Sequence, residues 1–260
     1  MTCLTLLAGV AVLCMVTRPG VPGIDSWLHR AVLEHRGTTS LEIARAVTQG
    51  GSTRVVWPML GLATLVRLRT RDLRAWLAAG AFTAAVGAGI GVRLAVSLLV
   101  ARPRPAAVDW ASTAGGYAFP SGHTTAATLG AGALAWTVAR RTGRRGVRLL
   151  AWGAAATYAG AVGWSRVWLG VHWPLDVAGG WMLGAGWLTG MAWGIRRIQD
   201  GIARRHQQTG APDTRSGTDG SLRTDGAQRD DRDGIGTARP ASPDGFLNGR
   251  WRRARGRRPA

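Results

Sequence analysis

Three short segments of the chain combine arginine, serine, histidine and aspartate at spacings suited to phosphate chemistry. They read Arg-Pro-Arg-Pro at 102–105, Pro-Ser-Gly-His at 120–123 and Ser-Arg-x5-His-x3-Asp at 165–176. The arginine guanidinium is a planar fork of donors that matches phosphate oxygens in a bidentate way and stays charged at any working pH. Arg104 and Arg166 are therefore candidates for a phosphate clamp.

The Pro-Ser-Gly-His segment is expected to open a helix. Unpaired backbone amides and the positive end of the helix dipole favour an anion at such a terminus. The Ser121 hydroxyl and the Gly122 amide are therefore candidate donors to phosphate.

Two histidines offer a nucleophile and a proton donor. His172 and Asp176 are four residues apart, the spacing of neighbours on one helix face, and Pro174 suits the first turn of that helix. A carboxylate there can orient and polarise the imidazole. His123 comes from another segment, so one imidazole can attack phosphorus while the other protonates the leaving oxygen.

Taken singly, each segment also has a structural interpretation: an arginine that contacts a lipid headgroup, a buried histidine, or a Ser-Gly turn. Together they resemble the type 2 phosphatidic acid phosphatase superfamily, whose signature is Lys-x6-Arg-Pro, Pro-Ser-Gly-His and Ser-Arg-x5-His-x3-Asp. The second and third parts are complete, and the resemblance covers roughly residues 75–195.

This resemblance implies an all-α, six-helix membrane bundle that forms a phosphohistidine and needs no metal or other cofactor. It implies a lipid phosphate or pyrophosphate as substrate, of the undecaprenyl pyrophosphate, phosphatidic acid or phosphatidylglycerol phosphate type. It makes His172 the nucleophile, Asp176 its partner and His123 the general acid. The implied phosphate cradle consists of Arg104, Ser121, Gly122 and Arg166.

The first part of the signature departs from the family pattern, because Ser97 stands where the family has lysine. Arg93 lies one helical turn earlier, well inside a predicted span, where an arginine needs a partner. It either replaces the missing lysine at the phosphate or pairs with a polar group between helices.

Two alternatives to a membrane phosphatase follow from the same residues. Loss of the lysine at position 97 would suit a lipid-phosphate-binding or scaffold protein without catalysis, although both histidines and Asp176 are retained. The related vanadium haloperoxidases share the constellation, but they are soluble, and the long apolar runs of this chain argue against that class.

Six apolar runs predict a polytopic membrane protein of about six transmembrane helices. They are Met1–Val16, Thr53–Val66, Ala75–Val100, Gly122–Ala139, Leu149–Trp164 and Pro174–Ile195. The first could instead be a signal peptide, but it lacks a basic start and a clear cleavage site.

The formal charge of +19 comes entirely from arginine, which is concentrated in the connections between these runs. Segments 67–74 and 140–148 hold four and five arginines, so we expect them to be cytoplasmic, with both termini on that side. The candidate site then lies on the extracytoplasmic face of a multi-pass protein in the cell membrane. Membrane lipids are the expected partners, and no nucleic acid is expected.

The remaining segments complete the predicted organisation. Residues 1–198 form the membrane domain, with its motif core at 75–195, and residues 199–260 form a basic cytoplasmic tail. Almost no large apolar residue occurs in Thr209–Ala260, which we therefore expect to be disordered. Ser26–Val47 has a helical rhythm that predicts an interfacial helix on the outer surface.

Overall fold

The computed structural model describes Ala8, Ala11 and residues 23–67 and 73–209, and within these ranges all regular structure is helical. This confirms the predicted all-α class. Seven α-helices follow one another in the order α1 Gly23–His35, α2 Thr38–Thr48, α3 Thr53–Arg67, α4 Leu73–Val100, α5 Gly122–Arg141, α6 Arg145–Trp168 and α7 Pro174–Thr209. Two short 3-10 turns, Gln49–Gly51 and Ala107–Asp109, lie in the connections.

Helices α3 to α7 begin within four residues of the predicted spans. By length and composition, Trp76–Val100 is the one described helix that could cross a bilayer, with a mean hydropathy of 1.8, and Thr53–Val66 is a shorter apolar helix. The later helices are long enough but rich in glycine and alanine, small residues that let helices pack closely and that contribute less to mean hydropathy than leucine, isoleucine or valine. The count of six spans stays a prediction, and its first member, Met1–Val16, lies outside the described residues apart from Ala8 and Ala11.

The predicted interfacial helix at Ser26–Val47 is two helices instead of one. α1 ends at His35, and α2 begins at Thr38 after the extended residue Gly37. The spacing of apolar residues does not reveal such a break, because each of the two helices has the same 3.6-residue periodicity. The break matters for the site because α1 buries the polar side chains of Asp25 and His29.

Helix α7 continues past the predicted domain boundary at residue 198 and ends at Thr209. The boundary itself stays a prediction. Charged side chains such as Arg196 and Arg197 do not interrupt a helix, since arginine has a high helix propensity. The predicted disorder of the tail concerns residues that, beyond Thr209, lie outside the described part of the chain.

α5 lies at the centre of the bundle, in contact with α3, α4, α6 and α7. Its Leu129 and Ala133 pack with Val56 of α3, Val86 of α4 and Leu188 of α7 in the largest apolar cluster. Most of its residues are small, so its neighbours approach its backbone closely. This central helix holds His123 at its first turn and therefore fixes one candidate residue relative to the whole bundle.

Large apolar side chains cover much of the outer surface of the described helices. Leu98 and Leu99 of α4 are 61% and 75% exposed, and Leu150 of α6 is 73% exposed. An apolar surface of this extent is unfavourable in water, so on a helical bundle it marks a surface that contacts lipid or another protein. The bundle thus has a buried core and an apolar exterior.

Candidate active site

A cavity of about 430 Å³ lies at the end of the bundle where α4 ends, α5 begins, α6 ends and α7 begins. The polar side chains on its wall come from all three motifs, although they are far apart in sequence. Its wall includes six of the eight predicted site residues: Arg93, Arg104, Gly122, His123, Arg166 and His172. The other two, Ser121 and Asp176, are completely buried behind the wall.

His172 is held between a carboxylate on one side and an arginine on the other. Its Nδ1 lies 3.4 Å from Oδ2 of Asp176, and its Nε2 lies 2.9 Å from Nη1 of Arg104. Because the guanidinium only donates, Nε2 accepts, so the ring proton sits on Nδ1. The Nε2 lone pair therefore points at Nη1 of Arg104, and both residues line the cavity.

Electrostatics keep this imidazole neutral. His172 is 1% exposed, and burial, followed by the charge of Arg104, lowers the pKa of His172 well below its ordinary value of 6.5. A neutral imidazole has a free lone pair, which an attacking group requires.

Asp176 is held by more than the histidine. Its Oδ1 accepts from Nη1 of Arg102 at 2.8 Å, and its Oδ2 accepts from the Trp173 amide at 2.9 Å. The carboxylate is 0% exposed, so each of these donors offsets the cost of burying its charge. Asp176 therefore has a fixed orientation toward His172.

Arg102 joins Asp176 to a second buried carboxylate, Asp25 of α1. Nη2 of Arg102 donates to Oδ2 of Asp25, and Oδ1 of Asp25 accepts from the Leu175 amide at 2.9 Å in the first turn of α7. Sequence reasoning assigned no role to Arg102 or Asp25. The available signal was the doubled Arg-Pro at 102–105 together with an isolated acid in the first turn of a helix.

Arg104 occupies the mouth of the cavity and is fixed there by backbone carbonyls. Its Nη1 donates to the Val171 carbonyl at 2.8 Å, and its Nε and Nη2 donate to the Gly116 and Gly115 carbonyls at 2.9 and 2.8 Å. The guanidinium is thus oriented before any ligand binds.

Arg166 is anchored at one nitrogen and unpaired at another. Its Nη1 donates to Oγ1 of Thr48 at 2.8 Å, whereas its buried Nε has no hydrogen-bond partner in the described part of the chain. A buried donor without an acceptor is costly, so it marks a place where an anion would fit.

Arg93 points from α4 toward the first turn of α5. Its Nε donates to the Pro120 carbonyl at 2.8 Å, and a Cβ on Gly122 would lie 3.2 Å from its guanidinium carbon. Glycine at 122 thus leaves room for this close approach. Ser97, at the family lysine position, is 3% exposed and does not line the cavity.

His123 and Ser121 take different positions although they are neighbours in sequence. The His123 imidazole lines the cavity and makes no hydrogen bond to any residue that the structure describes. The Ser121 amide donates to the Asp176 carbonyl at 2.9 Å, and its hydroxyl accepts from Thr124 at 2.9 Å. Ser121 therefore links α5 to α7, and the donation of its hydroxyl to phosphate stays a prediction.

A tight turn between α6 and α7 brings Arg166 and His172 to the same cavity. Gly170 has a φ of +70°, and a Cβ there would collide with the Asp109 carbonyl. Only glycine adopts this conformation without strain. The turn therefore lets the chain reverse direction within the seven residues from Arg166 to His172.

The fold and the cavity together define an α-helical protein with an arginine-rich pocket that contains two histidines. Residues 75–200 match the model of the PAP2 superfamily. The predicted resemblance to type 2 phosphatidic acid phosphatases is therefore confirmed over this part of the chain.

Individual relatives share parts of the chain. The undecaprenyl-diphosphatase of Sulfolobus acidocaldarius is 38% identical over 73 residues, which are 28% of this chain and 31% of that protein. The chain thus spans about a third of the length of this curated relative.

Two solved structures are similar to this chain. The transmembrane PAP2-type phosphatidylglycerolphosphate phosphatase from Bacillus subtilis has a TM-score of 0.66 at 21% identity, covering 76% of this chain and 95% of that one. Aquifex aeolicus LpxE has a TM-score of 0.47 at 20% identity, covering 64% and 96%. The first comparison shows that this chain has the fold of a membrane protein.

Proposed function

We propose that this chain is an integral membrane phosphatase that hydrolyses a lipid phosphate or polyprenyl pyrophosphate through a phosphohistidine at His172. The observation that carries the proposal is the meeting of two histidines and three arginines on one cavity, with a buried carboxylate behind one histidine only. That asymmetry gives the two imidazoles different tasks.

In the first step, the Nε2 lone pair of His172 attacks phosphorus, and the bond from phosphorus to the leaving oxygen breaks. Positive charge then develops on the imidazole, and Asp176, which faces Nδ1, stabilises it. His123, on the wall of the same cavity, gives its proton to the leaving oxygen.

In the second step, water attacks the phosphohistidine, and His123 takes the water proton. The bond from phosphorus to His172 breaks and releases inorganic phosphate. Arg93, Arg104 and Arg166, together with the Gly122 amide, hold the phosphoryl oxygens in both steps. The Ser121 hydroxyl is the further donor to phosphate in this scheme, and the Ser121 amide fixes the start of α5 against α7.

A neighbouring cavity supports a lipid as the substrate. This cavity, of about 440 Å³, lies between α3, α4 and α5 and shares Arg93, Gly122 and His123 with the first one. Its remaining wall is largely apolar and includes Trp57 and Leu94. A substrate with a phosphate in the first cavity would have its hydrocarbon chain in the second.

Arg93 supports catalysis over the scaffold alternative. Its guanidinium reaches the wall of the phosphate cavity from α4, the helix in which the family has its lysine. We propose that it supplies the positive charge missing at Ser97, so the change at this position does not deprive the site of a phosphate contact.

We propose two candidate substrate classes, a polyprenyl pyrophosphate and a glycerolipid phosphate. The sequence identity with an undecaprenyl-diphosphatase supports the first class.

We also propose that both termini are cytoplasmic and that the cavity faces the extracytoplasmic side, because the arginine-rich connection at 140–148 is at the other end of the bundle.

The proposal is tested by phosphate release from the purified full chain in detergent. The substrates are undecaprenyl pyrophosphate, phosphatidic acid, phosphatidylglycerol phosphate and, as a chain-free control, glycerol 3-phosphate. We expect release from at least one lipid, much slower release from glycerol 3-phosphate, and none from His172→Ala. A folded protein that releases phosphate from none of the lipids would support the scaffold alternative.

A further inference from the structure

A second groove lies between α5, α6 and α7, at the end of the bundle away from the candidate active site. Its volume is about 520 Å³, and its lining includes one arginine from each helix, Arg140, Arg148 and Arg196. We call it the arginine groove. None of its lining residues belongs to the three motifs, so it is a separate site.

The groove exists because the side chains between α6 and α7 become small toward this end. Near the active site they are held together, since a Cβ on Gly163 would lie 2.7 Å from the Trp181 ring and the Trp181 indole donates to the Ala159 carbonyl at 3.0 Å. Beyond Ala159 the facing side chains are small, Ala156 on α6 and Ala192 on α7. The space between them stays unfilled, with α5 as its floor.

The interior of the arginine groove is apolar. Trp136, Trp152 and Leu188 line it together with alanines from α6 and α7. An empty apolar groove of this length on a helical bundle suits a hydrocarbon chain, because burial of apolar surface is favourable and needs no specific polar partner.

The positive charge of the three arginines determines which lipid headgroup the groove can bind. Arg140, Arg148 and Arg196 make no ion pair with any residue in the described part of the chain. The nearest described acid along these helices is Asp200, one turn beyond Arg196. Three guanidinium groups at one mouth therefore attract an anion, and their geometry suits a phosphodiester.

The depth of the groove places this mouth at the second membrane interface. Arg140 lies 18 residues after Gly122 in α5, which corresponds to about 27 Å at about 1.5 Å per residue. This is close to the hydrocarbon thickness of about 30 Å. A lipid with its phosphate at the arginines would therefore have its chains inside the bilayer.

We propose that the arginine groove binds an anionic glycerophospholipid with a phosphodiester headgroup, such as phosphatidylglycerol. The arginines hold the phosphate, and one acyl chain lies along Trp152 and Ala156. Basic pockets between helices on the cytoplasmic side commonly hold such headgroups. No histidine lines this groove, so the lipid is a resident ligand that is not hydrolysed there.

The test compares two charge-matched variants of the full chain in detergent. Arg140, Arg148 and Arg196 are replaced by glutamine in the groove variant, and Arg141, Arg144 and Arg145 in the control. The control residues are at the same end of the bundle but do not line the groove. Dioleoyl phosphatidylglycerol and phosphatidylcholine are titrated, and lipid retention is measured by native mass spectrometry together with the thermal unfolding midpoint.

We expect phosphatidylglycerol to be retained and to raise the unfolding midpoint of the wild type and the control, whereas the groove variant binds it at least about tenfold more weakly. Phosphatidylcholine should bind all three proteins weakly. Equal losses in both variants, or equal binding of both lipids, would overturn the proposal. Ala156→Trp fills the groove without changing the charge, so it should also lower retention, and unchanged retention in this variant would count against the groove.

Discussion

Nη1 of Arg104 lies 2.9 Å from Nε2 of His172, so the resting site has an arginine at the atom that is proposed to attack phosphorus. The contact orders both groups before substrate arrives. It also implies that Arg104 transfers its donor from the imidazole to a phosphoryl oxygen when substrate binds, which frees the lone pair at the moment it is needed.

This contact leads to a prediction about pH. Burial and the Arg104 charge lower the pKa of His172, so the imidazole stays neutral as the pH falls through 6.5 and loses its lone pair only at lower pH. We expect the acid limb of kcat/KM to lie below pH 6.5. Arg104→Gln removes one repelling charge but leaves the burial, so it should move this limb upward. If Arg104→Gln leaves the acid limb of the kcat/KM profile in place or moves it to lower pH, the assignment of this limb to His172 is wrong.

The buried ion pairs of Arg102 with Asp25 and Asp176 lead to a prediction about stability. Arg102→Met leaves the carboxylates of Asp25 and Asp176 buried without their shared cation, which should cost about 3–5 kcal/mol of unfolding free energy. The matched control is Arg45→Met, because Arg45 is exposed and, among the described residues, donates only to the Ala111 carbonyl. Its cost should be about 1 kcal/mol or less. Unfolding midpoints in detergent compare the two, and equal losses would show that the Arg102 pairs contribute little.

The proposal that Arg93 replaces the family lysine can be tested by removing the charge at position 93 and restoring a lysine at position 97. Arg93→Ala removes a charged donor, and we expect kcat/KM to fall by roughly 10- to 100-fold. Adding Ser97→Lys to this variant should restore part of the loss, since position 97 lies one turn nearer the end of α4. Steady-state phosphate release measures both. If Arg93→Ala leaves kcat/KM unchanged, Arg93 is a structural residue.

The orientation in the membrane can be tested with single cysteines in a Cys3→Ser, Cys14→Ser background. Val108, in the connection between α4 and α5, is 89% exposed, and Gly143, in the connection between α5 and α6, is also exposed. We expect Val108→Cys to react with an impermeant thiol reagent in intact cells and Gly143→Cys to react only after lysis. The reverse pattern would invert the topology.

The helical class and most of the cavity could be predicted from the sequence because local signals specify them. The Pro-Ser-Gly-His segment opens a helix, and the spacing from His172 to Asp176 is a helical spacing. Each motif lies at a helix end, so a bundle of helices that pack side by side brings the ends together. This explains why six of the predicted residues share one wall.

The sequence did not predict the contacts that join distant segments. Asp25 and Arg102 are 77 residues apart, and Arg166 and Thr48 are 118 apart. Periodicity identifies a helix and its apolar face, but the partner of a buried polar residue depends on how the helices pack. Ser121 shows the same limit, since its hydrogen bonds to Thr124 and Asp176 depend on the position of α7.

The most direct test of the central claim is trapping of the phosphoenzyme. The full chain is mixed with ³²P-labelled lipid phosphate and quenched in alkaline detergent, which preserves a phosphorus–nitrogen bond, and the labelled peptide is identified. We predict label on His172 in the wild type and in His123→Ala, where turnover of an ordinary ester slows by about 10²–10⁴ because the general acid is missing. His172→Ala should carry no label. Label on His123, or label that persists in His172→Ala, would contradict the account.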